Sequence, residues 1–190
     1  TYDDAAAAAA EHATMTGATL VPAFDALSTV AGQATVAMEL LSQLDTPPDV
    51  VVLPVGGGGL LAGCGTWLRE QVPGVRLVGV EPAGAGNMAA ALAAGRPVEL
   101  AEIDTFVDGA SVRRAGDVTF PLVRDSGAEL VTVPEGQVCT EMLDLYQVDG
   151  IIAEPAGALA PAALSGGLVS LEPGQTVPFR IDPARAGGGC

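Results

Sequence analysis

The stretch VVLPVGGGGLLAG at 51–63 constrains the fold more than any other part of the chain. A valine-rich apolar run enters four consecutive glycines, and Leu60 and Leu61 leave them directly. A flexible joint would be flanked by polar residues, so the pattern predicts a tight strand-to-helix turn. Backbone N–H groups at such a turn, unobstructed by Cβ atoms, form an anion cradle at the positive end of the helix. Phosphate binding is therefore favoured over a purely structural turn. No GK[ST] follows, which excludes a P-loop. The stretch does carry GxGxxA at Gly57, Gly59 and Ala62, and Glu81 ends the next apolar run. Alone, that pair of features would fit a nicotinamide-dinucleotide turn with its ribose-binding acid.

Around this turn the chain alternates between strand and helix patterns. DDAAAAAAEHATMTG reads as a helix closed at Gly17, with Asp3 and Asp4 favouring its N-terminal dipole, and ATLVPAF as a short strand. GQATVAMELLSQL places Val36, Leu40, Leu41 and Leu44 at helical spacing before the Pro47–Pro48 break. DVVVLPV is wholly apolar, as in a parallel strand buried on both faces. GLLAGCGTWLREQV reads as a helix and VRLVGVE as a strand; NMAAALAAG and DVTFPLVRDSG are helical, and AELVTVP is again a strand. EGQVCTEMLDLYQVDG and AGALAPAAL complete the helices, and GQTVPFRIDPARAGGGC loses the pattern. Strand–helix–strand succession predicts an α/β fold, a parallel sheet with helices on both faces.

Bulk properties narrow the function. The net charge of −15 opposes nucleic-acid binding, which requires clustered cations. All eight basic residues are arginine, and the chain has no lysine. His12 is the only histidine, which rules out a metal cluster built of several histidines within the chain. Cys64, Cys139 and Cys190 are far apart and form no CxxC, as expected of reduced thiols in a cytoplasmic protein. No apolar run approaches the ~20 residues that would span a membrane, and no signal-peptide pattern is present. The composition, 49% hydrophobic but only 4% aromatic, suits a small-residue α/β protein.

Several segments together resemble the threonine dehydratases and their serine dehydratase and serine racemase relatives, pyridoxal-phosphate enzymes of the tryptophan-synthase-β type (fold type II). They are YDDA at 2–5, VPAFD at 21–25, AGQATVAMELLSQL at 31–44 and PDVVVLPVGGGGLLAG at 48–63. VRLVGVEPAGAGNM at 75–88, FVDGASVRRAGDVTF at 106–120, VCTEMLDLY at 138–146 and GIIAEPAGALA at 150–160 follow, in the family's order and spacing. The resemblance implies that Gly56, Gly57, Gly58 and Gly59, with the N–H of Leu60, hold the phosphate of pyridoxal phosphate. It implies that Asp108–Gly109 lies beside the cofactor ring through backbone, and that Glu154 stands near the ring edge. Each also has a plain reading: Gly109 as a turn glycine, Glu154 as a helix-terminal acid before Pro155. Glu81 matches the carboxylate with which some relatives hold a divalent cation, but the second acidic ligand corresponds to Asn87, so a weak or absent metal site is expected.

The resemblance further implies an amino-acid substrate, a homo-oligomeric parent enzyme, and a domain division. Residues 1–17 would be the end of a small domain or a crossover helix, 18–180 the large cofactor-binding domain, and 181–190 a frayed tail. The family's Schiff-base lysine and a cofactor-binding asparagine lie upstream of the region that YDDA resembles, and neither is in the chain. No catalytic residue is therefore assigned, since arginine stays protonated and cannot replace that lysine. The family's Ser-Gly-Gly-Asn turn is missing too; Ser165–Gly166–Gly167 lies too close to Glu154 and is expected to end a helix. The expectation is a fragment of an ammonia-lyase, inactive alone, with a non-catalytic phosphate-ligand module as the alternative.

Overall fold

The computed structural model describes residues 2–175. In chain order the elements are α1 (Tyr2–Thr16), α2 (Leu27–Gln43), β1 (Val50–Pro54), α3 (Gly59–Gln71), β2 (Arg76–Pro82) and α4 (Asn87–Ala94). They continue with α5 (Thr119–Ser126), β3 (Glu129–Val133), α6 (Glu135–Asp149) and α7 (Pro155–Ser165). The strands form one sheet in the order β1-β2-β3, and both pairings are parallel. Val50 stands opposite Arg76, and Glu81 opposite Thr132.

The strands are apolar on both faces because both are covered. Alternate side chains point to opposite sides: Val50, Val78 and Val80 pack with Val138, Leu145, Leu159 and Ala162 of α6 and α7. Val51 and Leu77 join Ala37, Cys64 and Leu68 of α2 and α3 on the other side. A third cluster sits at the turn end of the sheet, where Val55 and Leu61 meet Met88, Phe120 and Val123. These clusters bind the strand ends firmly to α3, α4 and α5, and so set the frame for the glycine turn.

The helix and strand expectations hold, with one correction. The strand expected over 18–24 does not form; that segment is irregular. Leu20 and Val21 are largely exposed, so their apolar character has no core to enter, and Pro22 has no N–H to contribute to a ladder. The helix ending at Ser165 is followed by Gly166 and a left-handed Gly167, the helix-closing turn expected there. α1 buries none of its residues. The frayed tail expected at 181–190, and every residue from 176 onward, lie outside the described residues.

Candidate functional site

β1 ends where Val55 donates its N–H to the Val80 carbonyl at 2.8 Å. Gly56, Gly57 and Gly58 then turn the chain into α3. Gly58 adopts φ 92°, a left-handed conformation that a side chain would strain. The first helical bond runs from Ala62 N–H to the Gly58 carbonyl at 2.8 Å. Among the described residues, the N–H groups of Gly56 through Leu61 find no acceptor. Gly57, Gly58, Gly59 and Leu61 are nevertheless buried. Buried N–H groups are almost always paired, and a row of them at a helix N-terminus is suited to an anion.

The turn also has no room for side chains. A Cβ on Gly56 would come within 2.9 Å of Ala110 Cα, and one on Gly59 within 3.0 Å of Phe24 Cβ. A Cβ on Gly57 would strike the Phe24 ring, and one on Gly58 would strike Met88 Cε and approach Thr119 Oγ1 at 3.1 Å. The wall continues from Ala110 to Gly109, where a Cβ would lie 3.0 Å from Ala156 Cβ and 3.4 Å from Glu154 Oε2. The structure thus brings Gly56–Leu60, Gly109 and Glu154 into one connected region beyond the C-terminal end of the sheet, where parallel α/β sheets bind ligands. Glu154 is the exposed residue preceding Pro155 at the start of α7. The residues fit a phosphate: glycine backbone donors at a helix start, close-packed walls and no competing carboxylate bonded to those N–H groups.

Glu81 stands apart from that donor row. It is fully buried, and its two carboxylate oxygens accept the N–H groups of Met88 at 2.7 Å and Ala89 at 2.9 Å. It therefore closes the N-terminus of α4 from outside the helix. Burial pushes its carboxyl up to about 7, against the two N–H groups that pull it down. So placed, it does not face a ribose. Each Glu81 oxygen already accepts one N–H, and Asn87 turns its amide nitrogen to the Gly56 carbonyl at 3.1 Å, leaving its Oδ1 without a hydrogen-bond partner among the described residues. No group of three or more metal-binding His, Cys, Asp or Glu side chains occurs among the described residues.

Three residues escaped the sequence reading. Phe24 covers Gly57 and Gly59. Asp25 accepts the N–H groups of Asp117, Val118 and Thr119 at 3.0, 2.7 and 3.3 Å, capping α5 from a distant loop. Thr119 Oγ1 donates to the Gly57 carbonyl at 2.6 Å. The only signal was that both VPAFD and VTF fall within segments of family resemblance.

Comparison with known proteins identifies the family. Residues 1–179 match the family model described as pyridoxal-phosphate dependent enzyme, and the chain belongs to that family. It is 58% identical over 179 residues to the L-threonine dehydratase biosynthetic IlvA of Mycobacterium bovis, covering 93% of this chain and 41% of that one. To the protein of the same name in Bacillus subtilis it is 44% identical, covering 86% and 39% respectively. Among solved structures, the processed form of threonine deaminase isoform 2 from Solanum lycopersicum superposes with TM-score 0.76 at 35% identity, over 80% of this chain and 44% of that one. Maize serine racemase superposes with TM-score 0.75 at 33% identity, over 80% and 47%. The chain therefore spans about two-fifths of the length of its curated relatives. Pyridoxal phosphate is the cofactor of the family, which displaces the nicotinamide reading of the glycine turn.

Proposed function

We propose that this chain forms the phosphate-holding part of the active site of a pyridoxal-phosphate-dependent ammonia-lyase acting on threonine or serine. The observation that carries the reading is the row of acceptorless N–H groups from Gly56 to Leu61 at the start of α3. Residues 18–180 belong to the large cofactor-binding domain, and residues 1–17 to the end of a small domain or a crossover; the lack of any buried residue in α1 supports that division.

When bound, pyridoxal phosphate supplies the electron sink that makes the α-proton of an amino acid labile. The chain's own residues bind and orient. Gly56–Gly59 and Leu60 offer N–H groups to the phosphate without a cationic side chain. The Gly109 backbone and Glu154 would stand beside the cofactor ring, and Phe24 packs against Gly57 and Gly59. No side chain of the chain can take the part of the imine-forming lysine, because there is no lysine and the arginines remain protonated. Turnover therefore requires a lysine that these 190 residues do not supply.

The experiment is a titration with pyridoxal phosphate, followed by borohydride reduction, peptide mass mapping and an assay for 2-oxobutanoate from threonine and pyruvate from serine. Reversible binding, label confined to the Thr1 amine and no turnover are expected. Absence of binding, or equal binding of a nicotinamide dinucleotide, would overturn the reading.

A further inference from the structure

We infer that Asn87 and Thr119 are positioning residues for the cradle, each holding one loop carbonyl so that the next N–H is presented to a phosphate; this rests on the proposed phosphate site. The peptide bond is planar, and the chain has no cis peptide among its described residues. In a trans unit the C=O of one residue and the N–H of the next point in opposite directions. Fixing a carbonyl therefore aims the following N–H.

Three successive units of the turn are fixed in this way, each by a different donor. Asn87 Nδ2 holds the Gly56 carbonyl at 3.1 Å, which directs the Gly57 N–H away from α4. Thr119 Oγ1 holds the Gly57 carbonyl at 2.6 Å, which directs the Gly58 N–H away from α5. Ala62 N–H holds the Gly58 carbonyl at 2.8 Å, so the Gly59 N–H projects back out of the start of α3. The last is ordinary helix geometry. The first two depend on side chains from elements distant in sequence, and without them glycine, the least restrained residue, could flip either peptide.

Both side chains are fully buried. Thr119 is anchored at its backbone by Asp25, which accepts its N–H and that of Val118. Asn87 also reaches the Ala85 carbonyl at 3.5 Å, while its Oδ1 has no partner among the described residues. A buried amide oxygen without a partner is unfavourable, and an apolar residue of similar size would avoid it. What such a residue could not provide is the donor to Gly56.

The test compares pyridoxal phosphate with pyridoxal, which lacks the phosphate, by equilibrium dialysis against the 190-residue chain and its Thr119→Val, Thr119→Ser and Asn87→Leu variants, with thermal melts alongside. The wild type is expected to prefer the phosphorylated ligand. Thr119→Val and Asn87→Leu are each expected to cut that preference about tenfold, the loss of roughly one well-aimed hydrogen bond. Thr119→Ser keeps the hydroxyl and is expected to retain the preference. If both ligands weaken together in the folded Val and Leu variants, or the preference survives in them, the positioning role is overturned. If Thr119→Val fails to fold, Asn87→Leu decides by the same ratio. A wild type that does not distinguish the two ligands overturns the cradle reading itself, and the inference with it.

Discussion

The carboxylate of Asp25 accepts the N–H of Val118 at 2.7 Å, joining positions 93 residues apart in sequence. Its other oxygen takes the N–H of Asp117 at 3.0 Å, so a single side chain from an irregular loop closes the start of α5. The preceding residue, Phe24, lies against Gly57 and Gly59. One short loop thus fastens α5 to the glycine turn. Asp25→Ala is expected to cost about 1–2 kcal/mol, the usual loss for a helix cap, and Asp25→Asn less, because an amide oxygen still accepts. Urea denaturation checks this; equal midpoints for wild type and Asp25→Ala would contradict it.

Gly58→Asp tests the turn by steric and electrostatic means together. The position has φ 92°, and a Cβ there meets Met88 and Thr119. Strain of about 1–2 kcal/mol is expected from the backbone alone, and the new carboxylate would compete with a phosphate for the same donors. The variant should melt at a lower temperature and, in folded samples, show no measurable binding of pyridoxal phosphate. A fluorescence titration with unchanged affinity would refute the assignment.

Glu81 gives the chain a specific pH dependence. An ordinary glutamate titrates near 4.5, whereas burial raises this one to about 7 in the folded state. Between those values the native state keeps a proton that the unfolded chain has released. The Glu81 contribution is therefore fully present below about pH 4.5 and is lost as pH rises through about 7. Each pH unit between the two values corresponds to about 1.36 kcal/mol, so the whole change is roughly 3 kcal/mol. Glu129 and Asp117, held low by Arg76 and Arg114, act in the opposite sense as pH falls. The informative quantity is consequently the difference between wild type and Glu81→Gln in urea unfolding at pH 5 and pH 8. The wild type should lose more stability on going to pH 8 than the variant does; parallel profiles would contradict the raised carboxyl.

The thiols should separate cleanly. Cys64 is buried on α3, and burial pushes it up to about 11, so it carries little thiolate at pH 8. Cys139 is exposed on α6. Iodoacetamide at pH 8 is expected to label Cys139 within minutes and Cys64 only after denaturation. Mass mapping of the native protein with both labelled at similar rates would contradict the packing of α3 against α2.

What the sequence disclosed and what it concealed follow from the range of the interactions. The parallel sheet was legible because Val50–Val55 and Leu77–Val80 are covered on both faces and so carry unbroken runs with no charged or polar side chain. The glycine turn was legible because its constraint is local: four residues without Cβ atoms between a strand and a helix. Residues 18–24 misled because the apolar letters of ATLVPAF lie largely on the surface, and Pro22 weakens any ladder. Glu81 was legible as an acid at a strand end, but not its inward turn onto the N–H groups of Met88 and Ala89, because α4 folds back over it. The roles of Asp25 and Thr119 were out of reach altogether. Their partners lie 94 and 62 positions away, and no periodicity records such pairings.

At the centre of the proposed site the backbone N–H groups of Gly56–Gly59 meet a phosphate, and amide resonances report on them directly. The measurement is a proton–nitrogen correlation spectrum of the chain labelled with nitrogen-15 glycine, recorded during titration with pyridoxal phosphate and, separately, with pyridoxal. The phosphorylated ligand should move the Gly57, Gly58 and Gly59 resonances most, to lower field as their N–H groups become hydrogen-bonded, while pyridoxal leaves them nearly in place. Unmoved cradle resonances alongside shifts at glycines remote from it, such as Gly127 or Gly150, would show that the phosphate binds elsewhere and that the central claim is wrong.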